Sequence, residues 1–355
     1  MKNYMMLFCA AGLALCAACA KLPEGENGPA PESRLTVNLE GLPDLQTRAT
    51  TAATEAEKKL TSLNIYVFDA NGMLDVSHAC TSAEISAKKA TLRMRTGKKT
   101  VFAAANLSGD VLTAANKVAT LSDLEAVKYA LSDNVSAFVM YGKGAATVAS
   151  GTGGSVTVTL RRGVSRISLA SVKNALLAPY GAVKLQRAFL CNVVGNQDLS
   201  GGAAPATWLN QEATSDHKKG HVIGKGSYKA QVEALTYVSL AAESLANGST
   251  KKYSPAKPFY AFPNALKTPN NGFNTTFTPT ATVLMVVVEI KGVNYYYPVP
   301  LKNGIEANTA YQVDLTLSGL GNTEDDPFAK IEKADLTATV STSDWTTGTG
   351  ISETI

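Results

Sequence analysis

Histidine, tryptophan and charge are scarce in this chain. Its 355 residues include three histidines and two tryptophans, and 17% are charged. So few histidines leave little for a proton relay. His217 and His221 stand four apart, a metal-ligand spacing on a helix. Lys218, Lys219 and Gly220 lie between them, and two like charges with a helix breaker make a solvated loop. Two tryptophans are too few for an aromatic sugar platform. The formal net charge is +4, and no Lys/Arg-rich block with interleaved aromatics appears, so nothing marks a nucleic-acid partner. A nucleophile elbow is missing too. Gly163-Val164-Ser165-Arg166-Ile167 lacks the closing glycine and no helix follows it. The Gly-rich run Ser150–Gly154 has no Lys-Ser/Thr after it and reads as a hairpin turn. Glu324-Asp325-Asp326 before Pro327 reads as an acidic turn rather than a calcium site. No carboxylate pair can be given acid and base roles from spacing. The sequence therefore assigns no catalytic residue, no metal and no cofactor.

Cysteine is concentrated at one end. Of five cysteines, Cys9, Cys16 and Cys19 fall in the first nineteen residues. Lys2 precedes an apolar run from Met5 to Ala20, short for a membrane span and suited to a signal peptide. The run ends Leu15-Cys16-Ala17-Ala18-Cys19-Ala20-Lys21. Small residues before a cysteine resemble a bacterial lipobox, although Cys16 stands where an aliphatic residue is usual. This reading makes residues 1–18 the signal and Cys19 the acylated residue, a firm membrane anchor. The alternative is an ordinary cleaved signal without lipid. Lys21 to Ser33, rich in Pro, Gly and Glu, reads as a tether. Cys80 and Cys191 remain, 111 positions apart, and read as buried thiols rather than a disulfide.

What the chain has in abundance is alternation. Leu35, Val37 and Leu39 alternate with Thr36, Asn38 and Glu40, the period of a half-buried strand. Gln46 to Thr54 is small and polar, and its one basic residue is Arg48. The apolar run Leu63–Phe68 then stops at the turn Asp69-Ala70-Asn71-Gly72. The link at Arg48 reads as a processing site, with cleavage before Ala49. A cut there would release the strand that carries Leu35, Val37 and Leu39, and open a groove for another subunit. Residues 1–48 carry a net charge of −1, so the remainder would carry +5. That balance still argues against nucleic acid.

Further along, Leu121, Leu124, Val127 and Leu131 predict a helix capped by Ser122 and Glu125. The apolar parity flips after Gly163, which predicts a bulge there and a domain boundary at 165/166. Asp198 to Gly226 reads as a loop, Gln231 to Ala246 as helix or strand, and Phe259–Asn264 as an aromatic turn. Thr282–Ile290 and Tyr295–Leu301 predict a hairpin. Tyr311–Leu317 alternates strictly, and so do Leu336, Ala338 and Val340. Many short strands with frequent turns predict an all-β chain with few short helices, built as β-sandwiches.

Several segments, taken in order, resemble the fimbrillins, the pilin family of the type V pili of Bacteroidales. They are Glu57–Gly72, Leu160–Ile167, Phe259–Asn264, Asn308–Leu317 and Asp344-Trp345, together with the lipobox and Arg48. The resemblance implies two transthyretin-like β-sandwich domains, at 49–165 and 166–355, behind a tether and propeptide strand at 19–48. It implies a precursor carried to the outer membrane on its lipid anchor. An Arg-specific protease then cuts after Arg48, and a strand from another fimbrial subunit fills the groove. Arg34 is the other arginine available, and it reads as lying before the alternating strand. The donor is expected within Asp335–Ile355. Its apolar residues are Leu336, Ala338 and Val340, then Ile351 and Ile355 in the tail. Alternatives within this reading are a tip or anchor subunit. An alternative outside it is a surface lipoprotein that binds a glycan or protein receptor, on a host or another bacterium, without polymerising.

Overall fold

A computed structural model describes residues 32–41, 57, 59–202, 204–211, 230–268, 279–324, 327–328, 336–345 and 350–354. The chain is all-β with a few short helices, as its alternation predicts.

The first half is layered around two sheets. Glu32–Glu40 (β1) lies between Lys89–Arg95 (β4) and Gly154–Thr159 (β8) in a three-stranded sheet. Behind it is a five-stranded sheet in the order Leu74–Ala79 (β3), Leu63–Phe68 (β2), Gly97–Ala105 (β5), Met140–Val148 (β7) and Arg161–Arg162 (β9). β1, β4 and β8 alternate because one of their faces meets solvent. β2 has no polar face because both sides are covered. Leu63, Ile65 and Val67 pack under β1, while Tyr66 and Phe68 point into the opposite cluster. β5 divides in the same way, with Val101 and Ala103 on one side and Phe102 and Ala104 on the other. A run that looked merely apolar is thus a strand in a middle layer.

The turn at Asp69–Gly72 forms as its residues dictate. Asp69 Oδ1 accepts from the backbone N of Asn71 at 2.8 Å and of Met73 at 2.9 Å. Ser82–Ala87 (α1) follows β3, and Gly109–Ala115 (α2) follows β5. The helix expected from Leu121 onward is shorter and starts earlier than its pattern implies. Leu121–Glu125 (α3) is capped by Thr120 with Asp123 rather than by Ser122 with Glu125. It stops because Lys128–Ala130 (β6) is drawn into pairing with Asn196–Asp198 (β13), so tertiary pairing overrides the 3.6-residue period.

At Gly163 the chain changes sheets instead of bulging. β9 ends on β7, and Ser165–Asn174 (β10) begins between Thr250–Ala261 (β16) and Thr309–Leu317 (β19). The register shift lies further on, between Leu169 and Ser171. Leu336–Asp344 (β20) and Gly350–Thr354 (β21) complete this sheet in the order β16-β10-β19-β20-β21. Opposite stand Tyr237–Leu245 (β15), Val183–Cys191 (β11), Val283–Ile290 (β17) and Val293–Pro300 (β18). Ile167, Val313 and Leu315 from the first sheet share a core with Leu185, Val286 and Val288 from the second. The β17–β18 hairpin turns on Lys291 and Gly292, both at positive φ. A short pair, Val193–Val194 (β12) with Trp208–Leu209 (β14), lies in what reads from sequence as a loop. Residues 231–246 resolve into Glu233–Thr236 (α4) followed by β15. Phe259, Tyr260 and Ala261 do not turn. They end β16, and with Phe262 they are buried at the junction of the two halves.

β7 and β8 belong to different sheets and meet at a glycine corner. A Cβ at Gly142 would sit 2.2 Å from the Thr159 carbonyl oxygen. Gly142→Ala is expected to force the two strands apart and cost about 1–3 kcal/mol, read as a lower urea midpoint with the m-value retained.

Candidate functional site

The seat of β1 is the feature from which a site can be built. β1 runs antiparallel to β4 from Glu32↔Arg95 to Asn38↔Lys89, and parallel to β8 from Leu35↔Gly154 to Glu40↔Thr159. Leu35 and Val37 are 0% exposed and Leu39 is 3% exposed. They pack with Ala90, Leu92 and Met94 of β4, Val156 and Val158 of β8, and the under-face of β2 and β5. The strand is fastened at both ends. Ser33 Oγ donates to the Ala149 carbonyl at 2.8 Å, Leu39 N to Lys88 O at 2.9 Å, and Leu160 N to Glu40 O at 2.8 Å. Gly41, at φ +72°, lets the chain leave directly over β8, because a Cβ there would lie 2.1 Å from the Leu160 carbonyl oxygen. Without residues 32–41, β4 and β8 would face each other across a trough with two rows of unpaired backbone groups and an apolar floor.

Arg34 lies inside β1, exposed and opposite Arg93, not ahead of the strand as its sequence position suggests. A break after it would leave Leu35–Glu40 in place. Cys19, Arg48, Ala49 and Ile355 lie outside the described residues, as do His217, His221, Asp325 and Asp326. Leu336, Ala338 and Val340 lie in β20, with Ala338 and Val340 buried against the C-terminal core. Ile351 lies in β21, the last strand of its sheet, which pairs with β20.

A second cluster joins the segment after Arg48 to both halves. Glu57 is 2% exposed. Its carboxylate accepts from Arg166 Nη1 at 3.2 and 3.0 Å, from Tyr260 Oη at 2.6 Å and from Trp345 Nε1 at 3.4 Å. Arg162 Nη2 donates to the Glu57 carbonyl at 3.0 Å. The Trp345 ring stacks on Tyr260 at 5.9 Å, and the Arg162 guanidinium lies 4.6 Å from its centroid. Burial pulls Arg162 below its ordinary range, with Glu57 opposing that shift. One residue thus joins β10, β16 and Trp345 through its carboxylate and β9 through its backbone carbonyl. Sequence reasoning missed this cluster. Glu57 precedes two lysines and reads as part of a surface charge run. The available signal is the pair Arg162 and Arg166 among apolar neighbours, since buried arginines require an acidic partner.

Cys191 is buried and Cys80 half-buried, and no disulfide joins them. Burial, with Glu84 nearby, pushes the Cys80 thiol up to about 12. Glu84 itself is held below the usual carboxylate range, chiefly by the hydrogen bond from the Thr81 backbone.

Residues 33–169 match a family model described as major fimbrial subunit protein (FimA). Among solved structures, one assigned to cell adhesion from Bacteroides eggerthii aligns with a TM-score of 0.62 and 23% identity, over 90% of this chain and 98% of that one. A fimbrilin (FimA) from Porphyromonas gingivalis aligns with a TM-score of 0.56 and 15% identity, over 88% and 97%. The tip fimbrial protein Mfa3 from the same organism aligns with a TM-score of 0.52 and 16% identity, over 89% and 100%. No curated protein sequence matches. These likenesses establish the fold, and the family match covers residues 33–169.

Glu57→Gln is expected to lose about 3–5 kcal/mol, because it leaves the buried Arg166 guanidinium without its carboxylate. The check is a denaturant melt read by the emission of Trp345, which should shift to the red before global unfolding.

Proposed function

Starting from a chain with the fimbrilin fold, whose residues 33–169 match the model of the major fimbrial subunit protein (FimA), we propose that it is a structural subunit of a cell-surface fimbria. In this reading it is exported as an outer-membrane lipoprotein precursor acylated at Cys19. It is then cut between Arg48 and Ala49 by an Arg-specific protease and polymerised by strand donation. The observation that carries the proposal is the double pairing of β1. The segment that a cut at Arg48 would free is an inner strand of its sheet, not an edge strand. Its loss creates two edges at once, and an unpaired edge is a template for an added strand.

The energetics favour such an exchange. Burying three aliphatic side chains in place of Leu35, Val37 and Leu39 is worth about 1.5–3 kcal/mol each. Each restored backbone bond adds about 1 kcal/mol net. A donor of about ten residues spans roughly 33 Å, enough for the whole trough. While β1 occupies its seat the same contacts are made within the chain, so the precursor stays closed. Glu57 lies eight residues beyond Ala49 and stays with the body after cleavage.

Two segments compete as donor. Leu336, Ala338 and Val340 repeat the spacing of Leu35, Val37 and Leu39. Against them, Ala338 and Val340 are buried in their own domain, and Trp345 is fastened to Glu57. Among the described residues β21 is paired on one side only, so it is released at lower cost. The likeness to Mfa3, a tip protein, favours a terminal position in the fibre as the second reading.

Limited trypsin on residues 20–355, with the new N-terminus mapped and the product sized by chromatography, tests the proposal. A first cut after Arg48 followed by high-mass assemblies, both abolished by Arg48→Ala, is the expected result. A stable monomer after that cut supports the terminal position, and resistance at Arg48 while other sites are cut overturns the scheme. Truncation after Trp345 should abolish assembly if the tail donates and spare it if β20 does.

A further inference from the structure

We propose that His78, Cys80 and Glu84 form a zinc site on the rim of the N-terminal sandwich. The inference rests on this local geometry and stands whether or not β1 is exchanged. His78 is in β3, Cys80 follows it directly, and Glu84 lies in α1. His78 Nε2 is 3.0 Å from both carboxylate oxygens of Glu84. One ligand atom from each of the three residues lies within 4.8 Å of the other two. A tetrahedral zinc would hold such donors about 3.3–3.5 Å apart, so a small contraction of these side chains closes the site.

The donors are positioned before any metal arrives. Glu84 Oε2 accepts from Thr81 N at 2.8 Å and from Thr81 Oγ1 at 3.0 Å, which fixes the plane of the carboxylate, while among the described residues Oε1 faces only His78 Nε2. Cys80 N donates to Leu63 O at 2.8 Å and anchors that residue to β2. The side chains of His78 and Glu84 are 29% and 23% exposed, so a hydrated cation can reach them. Thiolate, imidazole and carboxylate together form a donor set that suits zinc, with a fourth position left for water. On binding, the Cys80 thiol gives its proton to solvent and a zinc–sulfur bond forms. His78 binds through neutral Nε2, with its hydrogen on Nδ1, and Glu84 binds as the carboxylate.

The site has a structural consequence. Cys80 and Ile85 pack on the cluster that also holds Leu35, Val37 and Leu39. The turn after α1 leads directly into β4, the antiparallel wall of the β1 seat. A metal here ties β3 and α1 into one brace beside that wall.

The test is titration of residues 20–355 with Co²⁺ and Zn²⁺ under reducing conditions. The expected result is one metal per chain, a thiolate-to-cobalt charge-transfer band and the strong visible absorption of four-coordinate cobalt. Cys80→Ser should remove the band and weaken zinc by at least about tenfold, and His78→Ala should weaken it comparably. A check without any variant is alkylation of the unaltered chain. Zinc should protect Cys80 and leave the rate at Cys191 unchanged. Failure to bind metal, cobalt spectra without a thiolate band, or zinc affinity indifferent to both substitutions would overturn the site. The last result would move the metal elsewhere, with His217 and His221 as the other histidines to test.

Discussion

Backbone amides and carbonyls inside a sheet need partners on both sides, and β1 has them on both. This requirement organises the N-terminal half. β4 and β8 are not neighbours in their sheet, and among the described strands β1 alone joins them. The apolar undersides of β2 and β5 are covered by residues that β1 and its two neighbours supply. An edge strand lost to cleavage would leave a smaller sheet. An inner strand lost to cleavage leaves a sheet that must be refilled, and that asymmetry gives a single peptide bond its leverage in the proposed scheme.

The Glu57 cluster is the electrostatic counterpart of this arrangement. A carboxylate buried among two arginines, a tyrosine and a tryptophan is costly to desolvate, and that cost offsets most of what its pairing contributes to stability. Its value is positional. It fixes Glu57 against the body with groups from β9, β10, β16 and the residue that follows β20. The same cluster holds one end of β20 in its own subunit.

Much of this was legible from the sequence. Strict alternation gave β1, β19 and β20, because one of their faces is polar and one apolar. The hairpin at Asp69–Gly72 followed from turn chemistry that uses Asn and Gly at set positions, and the one at Lys291–Gly292 from a Gly between two apolar runs. Other parts were hidden for physical reasons. β2 and β5 are covered on both faces, and periodicity cannot reveal the third layer. α3 was cut short by a pairing with β13 almost seventy residues away in the sequence. The sheet change at Gly163 produced the same parity flip as a bulge. Glu57 could not be found locally, since its partners lie more than a hundred positions onward. The sequence analysis singles out β1, and the three-dimensional arrangement shows it paired on both sides.

The mixed pairing of β1 has a mechanical consequence. In a fibre built as proposed, tension pulls each inserted strand along its own axis. A strand held by neighbours on both sides and loaded lengthwise must break its hydrogen bonds together, in shear. A strand on an open edge can be peeled, one bond at a time. The same geometry gives the fibre a direction, because the seat is antiparallel to one wall and parallel to the other. A strand inserted backwards would meet β4 and β8 with the wrong sense at each. The filament would then resist pulling at every joint equally and carry two chemically different ends.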